Sequence, residues 1–258
     1  MLNKNVEFVF TVLAILGILI VGMGLNFGSA AVGSYGKNDV IGNLTFSEWT
    51  GKLWDWWISL PEKSVPSSEN TGLMGSCLVK TDDQNKTVFL MNNFYVGTVQ
   101  QKCSFKADQS ILIPLYIAEC DTGDKENAGK PFTELLACAM DADRGEAYFK
   151  VKVDNLTLVD TTASVHRTPS HNNLTEVESK KLFDVNVPPQ SQFIPSNYDG
   201  PGKFKGAAHG WYVFLKPLGE GNHVISYYTK VTGTQSMNIK EAPWDYESDI
   251  TYSLKVKK

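Results

Sequence analysis

"GWYVFLKPLGEGNHVISYYTKV", residues 210–231, is the stretch on which the fold turns. Its two halves, "GWYVFLKPL" and "HVISYYTKV", are dense in aromatic and β-branched residues, the composition of strands. The Gly-rich "GEGN" between them predicts a β-hairpin with a four-residue loop. Farther on, "DITYSLKV", residues 249–256, alternates strictly. Ile250, Tyr252, Leu254 and Val256 should face inward, and Asp249, Thr251, Ser253 and Lys255 outward.

Upstream, "KTVFLMNN" and "YVGTVQQKCSF" have the same texture, and "SILIPLYIAEC" is a continuous apolar run suited to a strand buried on both faces. "EAYFKVKV" turns at "DN" into "LTLVD", and "KLFDVNV" adds a further strand. Two helices interrupt this pattern. "TFSE" offers a capping box with Thr45 as N-cap and Glu48 three positions on, and the helix should end before Pro61. "PFTELLACAMDADRG" predicts a second, with Leu135, Cys138 and Ala139 on one side. The expected fold is therefore mainly β: an antiparallel β-sandwich, jelly-roll or immunoglobulin-like, with two short helices and a hydrophobic helix ahead of them.

That leading helix sets the compartment. "FVFTVLAILGILIVGMGL", residues 8–25, carries no charge and reaches about 27 Å, close to the hydrocarbon thickness of a bilayer. Ser29 and Ala31 satisfy the small-x-small rule for cleavage. Residues 1–31 thus read as a signal peptide or a membrane anchor, 32–42 as a flexible spacer, and 43–258 as one ectodomain. Both readings put the rest of the chain outside the cytoplasm, secreted or anchored to the membrane through residues 8–25.

Four cysteines, Cys77, Cys103, Cys120 and Cys138, read as two disulfides in an exported chain, with three pairings open. Pairing neighbours would close loops of about 26 and 18 residues, each stabilising by about 3 kcal/mol. Asn43, Asn85, Asn155 and Asn173 stand in glycosylation sequons.

"WDWWISLP", "VFLMNNFYVGTVQQKCSF" and "ILIPLYIAEC", followed by "LFDVNVPP", "HGWYVFLKPLGEGNHVISY" and "DITYSLKV", resemble a widespread family of uncharacterised secreted β-rich proteins. That family shows a Trp-Trp-rich N-terminal helix and paired cysteines. The likeness runs loosely over residues 46–256 and departs at "QQKC". It implies a secreted, disulfide-bearing domain with Cys77 and Cys103 on adjoining segments, and it brings no activity and no catalytic residue.

The net charge of -4 lacks the electrostatic footprint of a nucleic-acid binder. No G-x-S-x-G elbow occurs, and paired cysteines are not nucleophiles, so no motif assigns catalysis. Three constellations remain as candidates. Trp54, Trp56 and Trp57 widen the apolar side of the first helix, for burial against a sheet, as a platform for a sugar or a partner, or for contact with the membrane surface. His166, His171 and His209 would hold copper or zinc if they converged, though no HxH or HExxH spacing demands it. Carboxylates cluster at Glu119/Asp121/Asp124, Asp141/Asp143/Glu146 and Asp245/Glu247/Asp249. "DADRGE" resembles the opening of a calcium loop but lacks its distal Glu, and Glu119 is the acid expected to be partly buried.

"YDGPGKFKGAAHG", residues 198–210, reads as a mobile surface loop and a candidate recognition surface. Together these features suggest a non-catalytic cell-envelope protein that binds carbohydrate or another envelope protein. The alternatives are an anchored accessory subunit of a membrane complex, or a metal-binding protein or enzyme.

Overall fold

The computed structural model describes residues 32–61, 79–81, 87–90, 97–142, 146–161, 173–191, 193–194, 198–234 and 244–258. The leader, Cys77, Asn85, His166 and His171 lie outside them. In chain order the described elements are α1 (Phe46–Ser59), β1 (Val79–Thr81), β2 (Thr87–Leu90), β3 (Gly97–Lys106), β4 (Ser110–Asp121), α2 (Phe132–Ala142), β5 (Glu146–Val153), β6 (Leu156–Asp160), β7 (Thr175–Glu178), β8 (Phe183–Val187), β9 (Gly202–Leu215), β10 (Gly221–Thr234) and β11 (Trp244–Lys257). Among the described residues, none of the helices is long and apolar enough to cross a membrane.

The strands form two mainly antiparallel sheets. One runs β1-β2-β4-β9-β7, with β8 also on β9; the other runs β3-β11-β10-β5-β6. Two pairings are parallel, β2 with β4 and β3 with β11. Ile111, Ile113, Trp211 and Val213 from the first sheet share one core with Phe149, Ile225, Tyr227 and Tyr252 from the second. The sheets therefore share one core, an arrangement compatible with a β-sandwich.

The predicted 210–231 hairpin does not form. β9 and β10 fall in different sheets, and residues 216–220 cross from one to the other. From Gly206 onward β9 is buried at every position, on both faces. Such a strand needs a cover on each side, and its two edges are already taken by β4 and by β7 with β8. Leu218, buried at the crossing, joins the core between the sheets.

The loop predicted at 198–210 is also replaced, because Gly202–Gly210 is the first half of β9. Its glycines answer to packing and not to mobility. A Cβ on Gly210 would lie 2.6 Å from the Tyr116 carbonyl and 2.8 Å from the Ile117 Cα, and one on Gly206 would meet Glu119, Phe183 and Val185. Residues 32–42, read as a spacer, belong to the folded unit that spans Val32–Lys258. Ser34 bridges Leu215, the Tyr35 amide donates to the Phe214 carbonyl at 2.7 Å, and Ile41 is buried.

β4 is buried on both faces, as its apolar run predicts, apart from the half-buried Glu119. Pro114 has no amide for the ladder, and the register with β9 shifts between Pro114 and Tyr116, where a proline in a central strand is tolerated. The shift turns Leu115 and Tyr116 both toward the inner core and leaves Leu112 and Ile117 on the outer face.

α1 covers that outer face. The Thr45 amide donates to Glu48 Oε2 at 3.0 Å, the Glu48 amide donates back to Thr45 Oγ1, and the helix stops at Ser59 before Pro61. Tyr35, Phe46 and Trp49 each set an edge against the Phe214 ring, at 5.4, 5.5 and 5.9 Å. Asp55 Oδ1 accepts from the Asn186 amide and side chain at 2.9 and 2.7 Å, fixing the helix to β8. α2 packs beside Cys120 and Ala207, on the face of the first sheet that looks toward the second, and the Cys120–Cys138 disulfide joins it to β4.

Replacing Gly210 by Ala should lower stability by about 1–3 kcal/mol, because backbone cannot yield to the new methyl. Gly200→Ala, with nothing within 4 Å, should stay within about 0.5 kcal/mol of wild type. Denaturant midpoints of the two variants check this; equal losses would contradict the packing account of β9.

Candidate functional site

With α1 on the outer face of the first sheet, the outer face of the five-stranded sheet is the large surface on which no described element lies. Alternation fixes what it displays. Ile225, Tyr227 and Val231 point into the core, so Val224, Ser226, Tyr228 and Lys230 point out from β10. By the same rule Tyr148, Lys150 and Lys152 point out from β5, and Glu247, Asp249, Thr251 and Ser253 from β11.

Register arranges these side chains in rows across the sheet. One row reads Asp160, Lys150, Tyr228, Asp249, Thr98, from β6 to β3. A second reads Tyr148, Lys230, Glu247, and a third reads Thr157, Lys152, Ser226, Thr251, Gln100.

At the centre the Tyr148 and Tyr228 rings meet edge to face, 5.6 Å apart and inclined by 65°. Both are half-buried. The Tyr148 hydroxyl donates to Asp160 Oδ1 at 2.8 Å, and Lys150 Nζ lies 2.9 Å from Asp160 Oδ2. These two donors hold the Asp160 carboxyl below its usual range, and the bond to Asp160 raises the Tyr148 hydroxyl in turn. Tyr228 is pushed up to about 12 by burial and by its bond to the Glu247 carboxylate. Lys230 Nζ lies 3.7 Å from Glu247 Oε2. The face is thus a fixed aromatic pair inside a lattice of paired charges. It can stack, accept and donate hydrogen bonds, and meet charge of either sign.

Sequence reasoning missed this pair, although the signal was there. Tyr148 and Tyr228 occupy outward positions of strands whose inward positions were readable. The tryptophans proposed as a platform, Trp54, Trp56 and Trp57, are 6%, 7% and 2% exposed, within the core beneath α1. A stacking platform needs an open ring face, and none of the three presents one.

His209 is 5% exposed in β9, with Nε2 3.3 Å from Glu176 Oε1. Its two proposed companions lie outside the described residues. Among the described residues, no three His, Cys, Asp or Glu side chains are placed to hold a metal ion. Cys103 is disulfide-bonded, to a partner outside the described residues. Asn43 and Asn155 are exposed, whereas Asn173 already accepts from Ser34 Oγ at 2.6 Å and donates to the Leu158 carbonyl at 2.8 Å.

Two further features gather polar side chains. A cleft of about 410 Å³ lies between residues 37–39, the start of α1 and the end of β7. Phe46 and Val177 line it, and its rim charges largely neutralise one another: Lys181 pairs with Glu48 at 3.0 Å and Lys180 with Glu178. The other is the Glu119 cluster, on the α1 side of the first sheet. Glu119 keeps some surface in solvent, but its Oε1 is shut off from water and has no hydrogen-bond partner. Burial, with Asp121 and Asp124 beside it, raises its carboxyl well above the usual range. Asp121 accepts from the Gly123 amide at 2.6 Å and from the Tyr198 hydroxyl.

No family model matches the chain, and no curated protein matches it. A solved structure with a faint similarity is CfaE, the adhesive subunit of the CFA/I fimbria of enterotoxigenic Escherichia coli, 12% identical over 55% of this chain, with a TM-score of 0.14. The match spans 36% of that structure's chain, and a likeness this slight carries no argument.

Glu119 makes stability depend on pH in a defined direction. A carboxyl raised in the folded state stabilises fully below its unfolded value near 4.5, and the contribution falls as pH rises above that value. Glu119→Gln mimics the protonated acid at every pH. Its advantage over wild type in denaturant midpoint should therefore grow from pH 4 to pH 8. Glu48, lowered to about 2 chiefly by the Thr45 amide, acts in the opposite sense and at lower pH, so it does not mask the effect. An advantage that stays flat across the range would contradict the assignment.

Proposed function

We propose that this chain is a non-catalytic, extracytoplasmic protein-binding module whose binding surface is the open face of the five-stranded sheet. The reading is carried by the Tyr148–Tyr228 pair at the centre of that face. Tyrosine is enriched at protein interfaces because it brings large contact area with little conformational freedom to lose. Size agrees. Five strands at about 4.8 Å and eight residues at about 3.4 Å cover about 650 Å², near the roughly 800 Å² per partner of a stable interface. The face is broad and sheet-like where a sugar or small-molecule site would be concave, which favours another envelope protein over a carbohydrate.

The extracytoplasmic setting rests on the disulfides, which persist in oxidising compartments, together with the apolar leader. A secreted family of the kind the chain resembles points the same way. Of the two sandwich types expected, the immunoglobulin-like one is favoured. The β3-β11-β10-β5-β6 order, with β4-β9-β8 opposite, follows the order of a variable-type sheet facing a B-E-D sheet. An anchored accessory subunit would use the same face.

Photo-crosslinking residues placed at Gln100 and Ser253, in the chain's own cell envelope, test the proposal. Both should capture a protein, and Tyr148→Ala with Tyr228→Ala should abolish capture. A crosslinker at Lys52, exposed on α1, should capture none. Capture that is equal from Lys52, or absent from both sheet positions, would overturn it.

A further inference from the structure

The identity of the partner is written in the charge pattern of the open face. Accepting that face as a protein-binding surface, the geometry points to a second copy of this chain as the partner, packed face to face about a two-fold axis that runs along β10.

The rows supply the argument. β5, on one flank of β10, points Glu146, Lys150 and Lys152 outward, and β11, on the other flank, points out Glu247, Asp249 and Lys255, so in the central rows lysines stand on one flank and carboxylates on the other. A two-fold axis lying along β10, between the facing sheets, exchanges the flanks. β5 of each copy then lies over β11 of the other, and β6 lies over β3. Because the rows are shared, each residue meets its opposite at the same level. Lys150 faces the other copy's Asp249, Lys152 faces Thr251, Tyr148 faces Glu247, and Asp160 faces Thr98. Stacked sheets lie about 10 Å apart, a gap that a lysine and an aspartate reaching from opposite sides can span.

Residues on the axis meet themselves. Tyr228 packs on Tyr228, which suits a ring already held by its neighbours. Val224, 43% exposed and among the described residues one of four large apolar side chains left in water, would be covered. Lys230 also meets Lys230, but each stands beside Glu247 in its own copy, so two cations and two anions alternate around the axis.

The alternative two-fold, running across the strands, sets β5 over β5 and β11 over β11. With the axis through the central row, Lys150 would face Lys150 and Asp249 face Asp249, and like charges brought together cost free energy. The charge pattern selects the axis along β10. Its self-complementarity is what a second copy requires and what an unrelated partner does not.

The test is charge reversal and rescue in the full chain, followed by sedimentation velocity over a range of concentrations. Wild type should self-associate. Lys150→Glu alone and Asp249→Lys alone should each weaken association by about tenfold or more, and the double variant should recover most of the loss. Thermal unfolding of all four proteins checks the fold, and the exposed Lys150–Asp160 pair should matter little to it. A wild type that stays monomeric at every concentration, or a double variant no better than the singles, overturns the inference. If the chain is monomeric yet Gln100 and Ser253 still capture a different protein, the second copy is excluded and the binding function stands. If neither association nor capture occurs, both fall.

Discussion

Everything in this fold is arranged around one constraint: β9 is apolar on both faces and must be covered on both. Its outward residues, Tyr212 and Phe214, are covered by α1, and its inward residues, Trp211 and Val213, by the second sheet. A buried aromatic side chain contributes about 2–3 kcal/mol relative to exposure, so leaving either face open would forfeit much of a marginal stability. The edges are equally committed. β4 takes one, and residues 33–35, β7 and β8 lie in succession along the other. With no edge of β9 left, the chain after Leu215 has to leave the sheet. That is why a sequence that looks like a hairpin becomes a crossing between layers.

Covering β9 twice commits the apolar residues of α1 and the inward apolar residues of the second sheet, and leaves the outer face of that sheet to the residues that alternate with them. That face is polar and regular, because each of its strands spends its apolar residues on the shared core. Regularity gives it rows, and rows give it a pattern of charge that a binding surface can read. The same economy accounts for the tryptophans. Four of them crowd α1 because a 14-residue helix must seal a whole sheet face, and Gly51 lets it approach to the point where a Cβ would touch Phe183.

Glu119 shows what happens where the layers are least forgiving. It sits above Gly206, where a side chain on β9 would run into Glu119 itself and into Phe183 and Val185 of β8. A carboxyl in such a place is held toward its neutral form by desolvation, and the neighbouring Asp121 reinforces the effect. The disulfide at Cys120, one residue away on the opposite face, joins α2 to the same end of β4. The same end of β4 thus carries a disulfide on one face and a carboxyl held toward its neutral form on the other.

The sequence by itself determined the elements. The capping box at Thr45, the stop at Pro61, the two-faced burial of β4, the turn at Asp154–Asn155 and the strict alternation of residues 249–256 are all legible, because each depends on local geometry. Inward and outward faces followed from the same alternation, which sets Tyr148 and Tyr228 outward, while the pairing of β5 with β10 brings the two rings together. Tertiary structure decided the rest. Whether β9 and β10 pair or oppose each other depends on which edges are already occupied, and that is a property of strands distant in sequence. Whether a glycine belongs to a loop or marks a point of closest approach depends on what lies across from it, and Gly206 and Gly210 read as part of a mobile loop until Glu119 and Tyr116 are in place. The open face was hidden for the same reason. A surface is defined by the absence of a covering layer, and no single stretch of chain records what the others leave bare.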